Sequence, residues 1–433
     1  MSYKRLNGVS VPHSKNTTQS VPQRITTPKK VIIPMSMHIG APCAPTVKVG
    51  DEVKVGQLIG SAAGFVTAPI HASVSGKVTA IDELVLGNGA RTKTVIIASD
   101  GLQTVSEEVM PPAVTDLKSF ADAIRSSGLV GLGGAGFPTS VKLLPKDPAA
   151  IDVLLINGAE CEPFITSDLR TMLDDGEYII KGINYVRKYI GMKRAVIGIE
   201  DNKPKAIAAL KELAEKEEGI EIMTLPASYP QGGEKVLIYH TLGRVVPGGK
   251  LPSDVGVIVL NVTSTAFIAK FMETGMPLVE KCLTVDGTAV KNPQNIIAPI
   301  GTPFSDIFDF CGGFKDEPKK VLMGGPMMGI AIPSLDLPML KNNNAVLAFK
   351  KDEAFLPPTT PCIRCGRCME ACPMNLMPVE LERAYKAKDA VRLKELRIDL
   401  CMECGCCSFV CPARRDLVLN NKLSKALVKE MKV

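Results

Sequence analysis

Histidines and long apolar stretches are scarce in this sequence. Only four histidines occur among 433 residues, and neither a catalytic triad nor a zinc-hydrolase motif of the HExxH type is present. Hydrolytic chemistry therefore has little support. Apolar stretches such as VLLIN (153–157) and VGVIVLNV (255–262) have the length of strands, and none approaches the roughly 18 residues of a membrane-spanning helix. The opening residues, MSYKRLNGVS, contain no apolar core, so we expect no export through a signal peptide.

Length and composition indicate a folded globular chain of several domains. A chain of 433 residues is too long for one ordinary core, and about three or four domains are expected. Hydrophobic residues make up 45% of the chain and charged residues 22%. This is the composition of an ordered protein outside the membrane, not of a disordered one.

The net charge of +6 is modest and does not indicate a nucleic-acid-binding protein. Basic residues nevertheless gather at both ends of the chain. Either these ends are simply solvated, or they dock onto acidic partner proteins or an anionic membrane surface. The residues concerned are Lys4, Arg5, Lys15, Arg24, Lys29 and Lys30 at one end, and Arg414, Arg415, Lys422, Lys425, Lys429 and Lys432 at the other.

Cysteine, in contrast, is abundant, with 13 residues. In a chain without an export signal, this favours a reducing compartment and metal ligation over disulfides. Eight of the cysteines fall in two runs, PCIRCGRCMEACP and CMECGCCSFVCP, each spaced C-x2-C-x2-C-x3-C and followed by proline. This is the spacing of bacterial two-cluster ferredoxins, in which the fourth cysteine of each run ligates the other cluster.

The spacing predicts two [4Fe–4S] clusters with crossed fourth ligands. Such clusters require soft thiolate ligands, and two-residue gaps let one tight loop reach several iron atoms. Zinc knuckles or free thiols are the alternative, but zinc sites usually use two ligand pairs separated by a longer gap. The predicted ligands are Cys362, Cys365, Cys368 and Cys411 for the first cluster, and Cys372, Cys401, Cys404 and Cys407 for the second. Cys406 is interpreted as a bystander, and Cys43, Cys161, Cys282 and Cys311 as buried thiols.

The segment before residue 100 is predicted to contain short strands and no helix. Within it, VKVGDEVKVGQLIG (47–60) and APIHASVSGKVTAI (68–81) have the pattern of the two halves of a biotinyl/lipoyl-type barrel-sandwich. The residues between them, SAAGFVT, contain no lysine. A structural or docking module is therefore favoured over a swinging-arm carrier. His38 and His71 are expected to pack or hydrogen-bond locally.

Residues 115–245 alternate between strands and helices, which predicts a parallel α/β sheet. The predicted elements are a helix at 117–127, a strand at 153–157, a long helix at 168–190, a strand at 194–200 and a helix at 203–217. Residues 246–335 are predicted to form a small β-grasp-like unit, with a turn at Asp286-Gly287. The polar stretch KNNNAVLAFKKDEAFLPPTT is predicted to be a linker, and the segment between the cysteine runs a helix.

A glycine-rich loop, GLGGAGFP, precedes a predicted helix. It is not the GxGxxG dinucleotide motif, and a tight turn is the alternative interpretation. Unpaired N–H groups of such a loop can cradle a phosphate, with Lys142 one turn further along. The carboxyl ends of parallel strands form the ligand-binding edge of α/β sheets. The candidate binding residues expected at that edge and beside it are Asn157, Glu160 and Glu162 in NGAECEPF, Gly232, Gly233 and Glu234 in YPQGGEK, and Asn261 after a further strand.

A flavin fits the chemistry of this combination. Nicotinamide gives up two electrons as a hydride, whereas each iron–sulfur cluster accepts one, so the electron pair has to be divided. A flavin performs that division, while the protein supplies binding, orientation and electrostatics. The sequence therefore predicts an electron relay, and no residue is predicted to act as a catalytic acid, base or nucleophile.

Motifs spread over nearly the whole chain resemble the RnfC component of the Rnf (also called Rsx) electron-transport complex. They are GV-x-VPHSKNTT, HIGAP, GFVTAPIHASVSGKV, GLVGLGGAGFPT, NGAECEPFITSDLRTM, GGPMMG and both cysteine runs. The resemblance implies a peripheral subunit at the cytoplasmic face of the cell membrane, bound to the other Rnf subunits. It also implies FMN, NAD(H) and two [4Fe–4S] clusters, in a complex that transfers electrons between reduced ferredoxin and NAD and moves Na+ or H+.

The middle third is also similar to the flavin-binding subunit of respiratory complex I. This similarity implies that FMN is held by Gly131, Gly133, Gly134, Gly136, Lys142, Asn157 and Asn261, and that NAD(H) is faced by Phe137, Glu160, Glu162 and Glu234. The chain departs from that subunit at Leu132 and Ala159, where complex I has arginine and aspartate.

Together these observations predict a multidomain chain of α/β and β structure. Its predicted parts are an N-terminal arm (1–28), a lipoyl-like barrel-sandwich hybrid (29–100), an FMN/NADH-binding α/β domain (115–245), a β-grasp, SLBB-like domain (246–335), a linker (336–354) and an α-helical ferredoxin-type domain with two [4Fe–4S] clusters (355–433). Two other functions stay open from the sequence. One is an RnfC-like iron–sulfur flavoprotein that feeds a cytosolic reductase, and the other is a non-catalytic ferredoxin-type adaptor.

Overall fold

The N-terminal arm lies against the rest of the chain. The structure, a computed structural model, describes residues 6–431, so Lys4, Arg5 and Lys432 of the basic ends lie outside the described residues. The arm is irregular apart from one short strand, β1 (Gln23–Arg24). Val9 forms an isolated antiparallel bridge with Tyr229, and its side chain is buried.

Short antiparallel strands form the barrel-sandwich: β2 (Lys30–Pro34), β3 (Ala44–Pro45), β4 (Glu52–Val53), β5 (Leu58–Ser61), β6 (Ile70–His71), β7 (Gly76–Val85) and β8 (Arg91–Ser99). One sheet has the order β2-β8-β7-β4 and the other β3-β5-β6. Alternate side chains such as Val31 and Ile33 are fully buried, because successive residues of a strand point to opposite faces. Arg125 donates to the carbonyl oxygens of Gly64 and Phe65, so the connection that lacks a lysine is docked against the next domain.

The α/β domain has a four-stranded parallel sheet in the order β11-β10-β9-β12. Its elements are α1 (Leu117–Ser126), α2 (Thr139–Lys142), β9 (Val153–Gly158), α3 (Ser167–Asp174), α4 (Gly176–Ile190), β10 (Arg194–Glu200), α5 (Pro204–Ala214), β11 (Ile220–Leu225), α6 (Glu234–Leu242), β12 (Val257–Asn261) and α7 (Val262–Thr274).

Two predictions for this domain are wrong. The predicted long helix at 168–190 is two helices, because Asp175 leaves the helical conformation between α3 and α4. The predicted boundary after residue 245 cuts through the sheet, because β12 pairs with β9 from Val257 to Asn261. The α/β domain therefore continues through α7.

The next domain is a mixed sheet in the order β1-β14-β13-β17-β15-β16. It contains β13 (Glu280–Asp286), β14 (Gln294–Pro299), α8 (Phe304–Phe310), β15 (Lys320–Met323), β16 (Ile330–Ala331) and β17 (Ala345–Phe349). The predicted linker at 336–354 is wrong, because β17 is a fully buried strand between β13 and β15. Burying each large apolar side chain of β17 stabilises the folded chain by roughly 1.5–3 kcal/mol. This gain favours a buried strand here, although the residues before it are polar.

The C-terminal domain is helical, with α9 (Lys351–Ala354), α10 (Arg367–Glu370), α11 (Pro378–Lys386), α12 (Ala390–Glu395), α13 (Cys406–Phe409) and α14 (Leu417–Glu430). The single helix predicted between the cysteine runs is divided into α11 and α12, because Lys388 has a positive φ of 54°. No helix within residues 6–431 combines the length and apolarity that crossing a bilayer requires.

Candidate functional site

The glycine-rich loop is closed on itself and leaves several N–H groups free. The Gly131 amide donates to the Phe137 carbonyl at 2.9 Å, which closes the loop. The amides of Gly133, Gly134 and Ala135 make no well-formed hydrogen bond within residues 6–431. A Cβ added at Gly134 would meet open space. The loop therefore offers a cradle of unpaired donors, which is the arrangement that binds phosphate groups.

Side chains from other elements contact the glycine loop and form hydrogen bonds with its backbone. A Cβ at Gly133 would clash with the Asn261 side chain, so glycine is required for this close approach. The Leu132 amide donates to Ser264 Oγ at 3.0 Å, and Lys281 Nζ donates to the Leu132 carbonyl at 2.7 Å. Sequence reasoning missed Ser264 and Lys281, because neither lies in a recognisable motif.

Asn261 is the N-terminal cap of α7. Its Oδ1 accepts from the Thr263 amide at 2.9 Å, and its Nδ2 donates to Asp168 Oδ2 at 2.7 Å. The Thr263 hydroxyl donates to the other oxygen of Asp168 at 2.7 Å. Asp168, which the sequence did not single out, therefore fixes the side chain on which the glycine loop rests.

The other predicted pieces meet at the carboxyl ends of β9 and β12. Lys142 Nζ donates to Glu234 Oε2 at 3.0 Å and to the Val259 carbonyl at 3.1 Å. Asn157 Nδ2 donates to the Gly232 carbonyl at 2.9 Å. The structure thus brings Lys142, Asn157 and the YPQGGEK segment together at one edge of the sheet.

Lys15 of the N-terminal arm contacts the segment that carries Glu160 and Glu162, two of the residues predicted to face NAD(H). Its Nζ donates to the carbonyl oxygens of Glu160, Glu162 and Ile165 at 2.8, 2.9 and 2.5 Å. The Glu160 side chain accepts from the Asp168 amide at 2.7 Å, and its second oxygen lies 3.9 Å from Lys15 Nζ. Burial raises the pKa of Glu160 and lowers the pKa of Lys15, and each charge partly offsets the shift of the other.

Glu162 is held by the GGPMMG segment. Its carboxylate accepts from the amides of Met327 and Met328 at 3.1 and 2.8 Å. Burial raises the pKa of Glu162 to about 7, although these two amides pull it down. The Tyr229 hydroxyl also lies beside this carboxylate. A predicted nucleotide-facing group is therefore placed close to Tyr229.

Tyr229 connects this region to the second cysteine run. Its hydroxyl donates to the Cys404 carbonyl at 2.7 Å. A Cβ added at Gly233 would clash with the Met402 side chain, so the two loops are in direct contact. The cysteine loop around Cys404 is thus packed against the loop that precedes α6.

The two cysteine runs have matching backbones. Positive φ angles recur at equivalent positions, 57° at Arg364 and 58° at Glu403, then 78° at Gly366 and 81° at Gly405. The Arg364 amide donates to the Cys362 sulfur at 3.4 Å and the Leu376 amide to the Cys372 sulfur at 3.3 Å, and such bonds tune iron–sulfur clusters. The recurring φ angles show that the two cysteine loops follow the same backbone path, as expected for two related cluster-binding loops.

The structure brings members of both predicted ligand sets near one another. Cys368 is near Cys411 and Cys362. The four cysteines of the second set line a cavity of about 20 Å³, and Cys406 lines it with them: Cys372, Cys401, Cys404 and Cys407. Within residues 6–431 no three such side chains converge as ligands of a single ion would. The Cys406 sulfur also donates to the Tyr229 carbonyl at 3.9 Å.

Four family models match the chain in the order of its domains. They are the RnfC barrel sandwich hybrid domain (4–102), the Nuo51 FMN-binding domain (124–270), the SLBB domain (283–331) and the 4Fe–4S dicluster domain (361–414). The predicted fold class and the predicted flavin and iron–sulfur cofactors are confirmed by these matches. The individual site residues stay predictions.

Solved structures show the same fold. The NAD+-reducing [NiFe]-hydrogenase in the air-oxidized state is similar with a TM-score of 0.54 and 18% sequence identity, over 74% of this chain and 67% of that one. The H2-reduced state of NAD+-reducing [NiFe]-hydrogenase is similar with a TM-score of 0.50 and 19% identity, over 73% of this chain and 63% of that one.

Curated relatives are similar over most of the chain. The RnfC component of the Na(+)-translocating ferredoxin:NAD(+) oxidoreductase complex of Acetobacterium woodii is 44% identical, over 86% of this chain and 85% of the relative. Its counterpart in the proton-translocating complex of Clostridium ljungdahlii is also 44% identical, over 86% and 82%. The counterpart in the ion-translocating oxidoreductase complex of Pseudomonas aeruginosa is 39% identical, over 86% and 49%. The chain therefore belongs to the RnfC family of ion-translocating oxidoreductase complexes.

Proposed function

We propose that this chain is the peripheral subunit of a membrane-bound ferredoxin:NAD+ oxidoreductase complex, in which it passes electrons between NAD(H), FMN and two [4Fe–4S] clusters. The complex couples this transfer to Na+ or H+ movement. The observation that carries the proposal is the contact between the predicted nucleotide site and the second cysteine run, through the Tyr229–Cys404 hydrogen bond and the Gly233–Met402 contact. Two-electron and one-electron chemistry thus meet within one chain.

The residues of the chain bind and orient the nucleotides. FMN held there would supply the chemistry that divides the electron pair of a hydride into single electrons. The free amides of the glycine loop and the adjacent α7 terminus favour the anionic phosphate. The Lys142–Glu234 pair and the Glu160 and Glu162 carboxylates line the same edge of the sheet. Of these, Glu160, Glu162 and Glu234 would face NAD(H), and Lys142 would help to hold FMN. Asn157 would also help to hold FMN, and its side chain joins the end of β9 to the loop before α6.

The placement of the two cysteine sets supports an order for the relay. Cys404 and Cys407 are buried, and Cys404 lies against the flavin domain through Tyr229. Cys365 of the first set is exposed. We therefore assign the cluster of Cys372, Cys401, Cys404 and Cys407 to the exchange with the flavin, and the other cluster to the exchange with a partner protein.

A peripheral position agrees with two further observations. The helices of the described chain include none that could cross a bilayer, and the curated relatives are named as subunits of complexes. Other subunits would therefore provide the membrane anchor, at the cytoplasmic face. The basic C-terminal residues would assist docking to those subunits or to anionic lipid.

Anaerobic reconstitution tests the proposal. The purified chain should contain about eight iron atoms, and NADH should bleach the cluster absorbance only after FMN has been added. Reduction by NADH without FMN would refute the relay order. A chain that binds iron but neither FMN nor NADH would be a ferredoxin-type adaptor. Co-purification with integral membrane subunits separates the complex from a flavoprotein that feeds a cytosolic reductase.

A further inference from the structure

Two side chains from the SLBB-like domain donate hydrogen bonds to carbonyl groups of the glycine loop. Lys281, on β13, donates its ammonium to the Leu132 carbonyl at 2.7 Å. Asn342, three residues before β17, donates its Nδ2 to the Gly134 carbonyl at 2.9 Å. The flavin domain contributes neither residue. The loop is therefore shaped by a neighbouring domain as well as by its own glycines.

These two bonds decide which way the loop's amides point. A trans peptide unit is planar, so its C=O and N–H point in opposite directions. Holding the Leu132 carbonyl on one side turns the Gly133 N–H to the other side. The Gly134 carbonyl and the Ala135 N–H are related in the same way. Gly133 and Ala135 carry two of the loop's unbonded amides.

Lys281 also places a positively charged ammonium group next to the backbone of the loop. Its side chain is 5% exposed. Its second acceptor is the Asn343 carbonyl at 2.6 Å, so both hydrogen-bond partners are neutral. Burial lowers the pKa of Lys281 to about 8, and the nearby Asp168 counteracts this shift, so the ammonium stays mostly charged at neutral pH. A buried charge with neutral partners attracts an anion more strongly than an exposed lysine does.

We propose that Lys281 and Asn342 are positioning residues that aim the Gly133 and Ala135 amides at the phosphate of bound FMN, and that the Lys281 ammonium adds electrostatic attraction for this phosphate. The inference rests on the proposed function, because it requires FMN in this loop. It adds that the SLBB-like domain forms part of the flavin site. Neither side chain need touch the flavin, because both act through the loop backbone.

The test compares FMN with riboflavin, which lacks the phosphate. Dissociation constants of both would be measured by anaerobic calorimetry on the full chain carrying its clusters. Lys281→Met should weaken FMN binding by roughly tenfold or more, as expected for a lost charged hydrogen bond, and riboflavin binding by less than about threefold. Asn342→Ala removes a single neutral hydrogen bond and should weaken FMN binding by roughly three- to tenfold. Lys291→Met, which removes an exposed lysine that follows β13, should change neither.

The outcomes separate the inference from the proposed function. Equal weakening of FMN and riboflavin, or no weakening, would overturn the inference while leaving flavin binding intact. Iron content and thermal unfolding show whether Lys281→Met is folded, and if it is not, Asn342→Ala decides the question. A wild-type chain that fails to bind FMN would refute the proposed function and this inference with it.

Discussion

The Tyr229 hydroxyl donates to the Cys404 carbonyl at 2.7 Å, and both groups are buried. This bond joins the loop before α6 to the loop of the second cysteine run, although 175 positions separate the two residues. The predicted nucleotide site and the predicted second cluster therefore share a packed junction.

Tyr229→Phe should weaken that junction, while the chain still binds FMN and both clusters. The lost hydrogen bond should lower the free energy of unfolding by about 1 kcal/mol. In stopped-flow mixing with NADH, cluster bleaching should slow relative to flavin reduction, because the Cys404 loop is less firmly held. Tyr185→Phe, on α4 away from the junction, is the control. Equal rates in the wild type and Tyr229→Phe would show that the bond does not matter for transfer.

Pairs of cysteine substitutions should reveal the crossed pairing. Cys368→Ala combined with Cys411→Ala removes two ligands of one cluster, so about four iron atoms should remain and FMN binding should be unchanged. Cys368→Ala combined with Cys372→Ala removes one ligand from each cluster and should abolish both. Cys406→Ala should keep all the iron, because its sulfur faces the Tyr229 carbonyl. If the first pair lost all the iron, the crossed pairing would be wrong.

Lys15→Met should raise the KM for NADH by roughly threefold or more, with iron content and FMN affinity unchanged. The reason is that Lys15 holds the carbonyls of Glu160, Glu162 and Ile165, and each lost charged hydrogen bond leaves an acceptor unsatisfied. Steady-state reduction of an artificial acceptor gives KM and kcat separately. The exposed Lys29, which directly follows the arm, supplies the control substitution. A fall in kcat alone would argue against a role in nucleotide binding.

Glu162 should make stability depend on pH. Its pKa is raised from 4.5 to about 7 by burial, so its favourable contribution is present below the unfolded pKa and is lost as pH rises through 7. Glu162→Gln cannot ionise. Its unfolding free energy, relative to wild type, should therefore increase between pH 5.5 and 8, by roughly 1–3 kcal/mol. Thermal or denaturant unfolding across this range measures the difference. A difference that stays flat with pH would mean that Glu162 is not buried as described.

Local signals were enough for much of the fold. The strand at 194–200 and the helix that begins at Leu117 lie where periodicity predicted them, because each depends on side chains within a few residues. Polar composition misled the prediction at 336–354, because Asn342 and its neighbours are polar for a tertiary reason. Asn342 holds the glycine loop, Lys341 binds the carbonyls of Pro69 and Gly128, and β17 begins at Ala345.

The sequence by itself determined the cofactors. Thiolate spacing and glycine content are local properties, so the two cluster motifs and the flavin loop are written in consecutive residues. Only the tertiary structure decided which groups surround them. Lys15 and Asp168 lie within quoted motifs, but no local signal shows which groups they contact. Lys281 and Asn342 lie outside every quoted motif, because a single buried hydrogen bond imposes no pattern on its neighbours in the sequence. The junction of Tyr229 with Cys404 likewise exists only because two domains pack against each other.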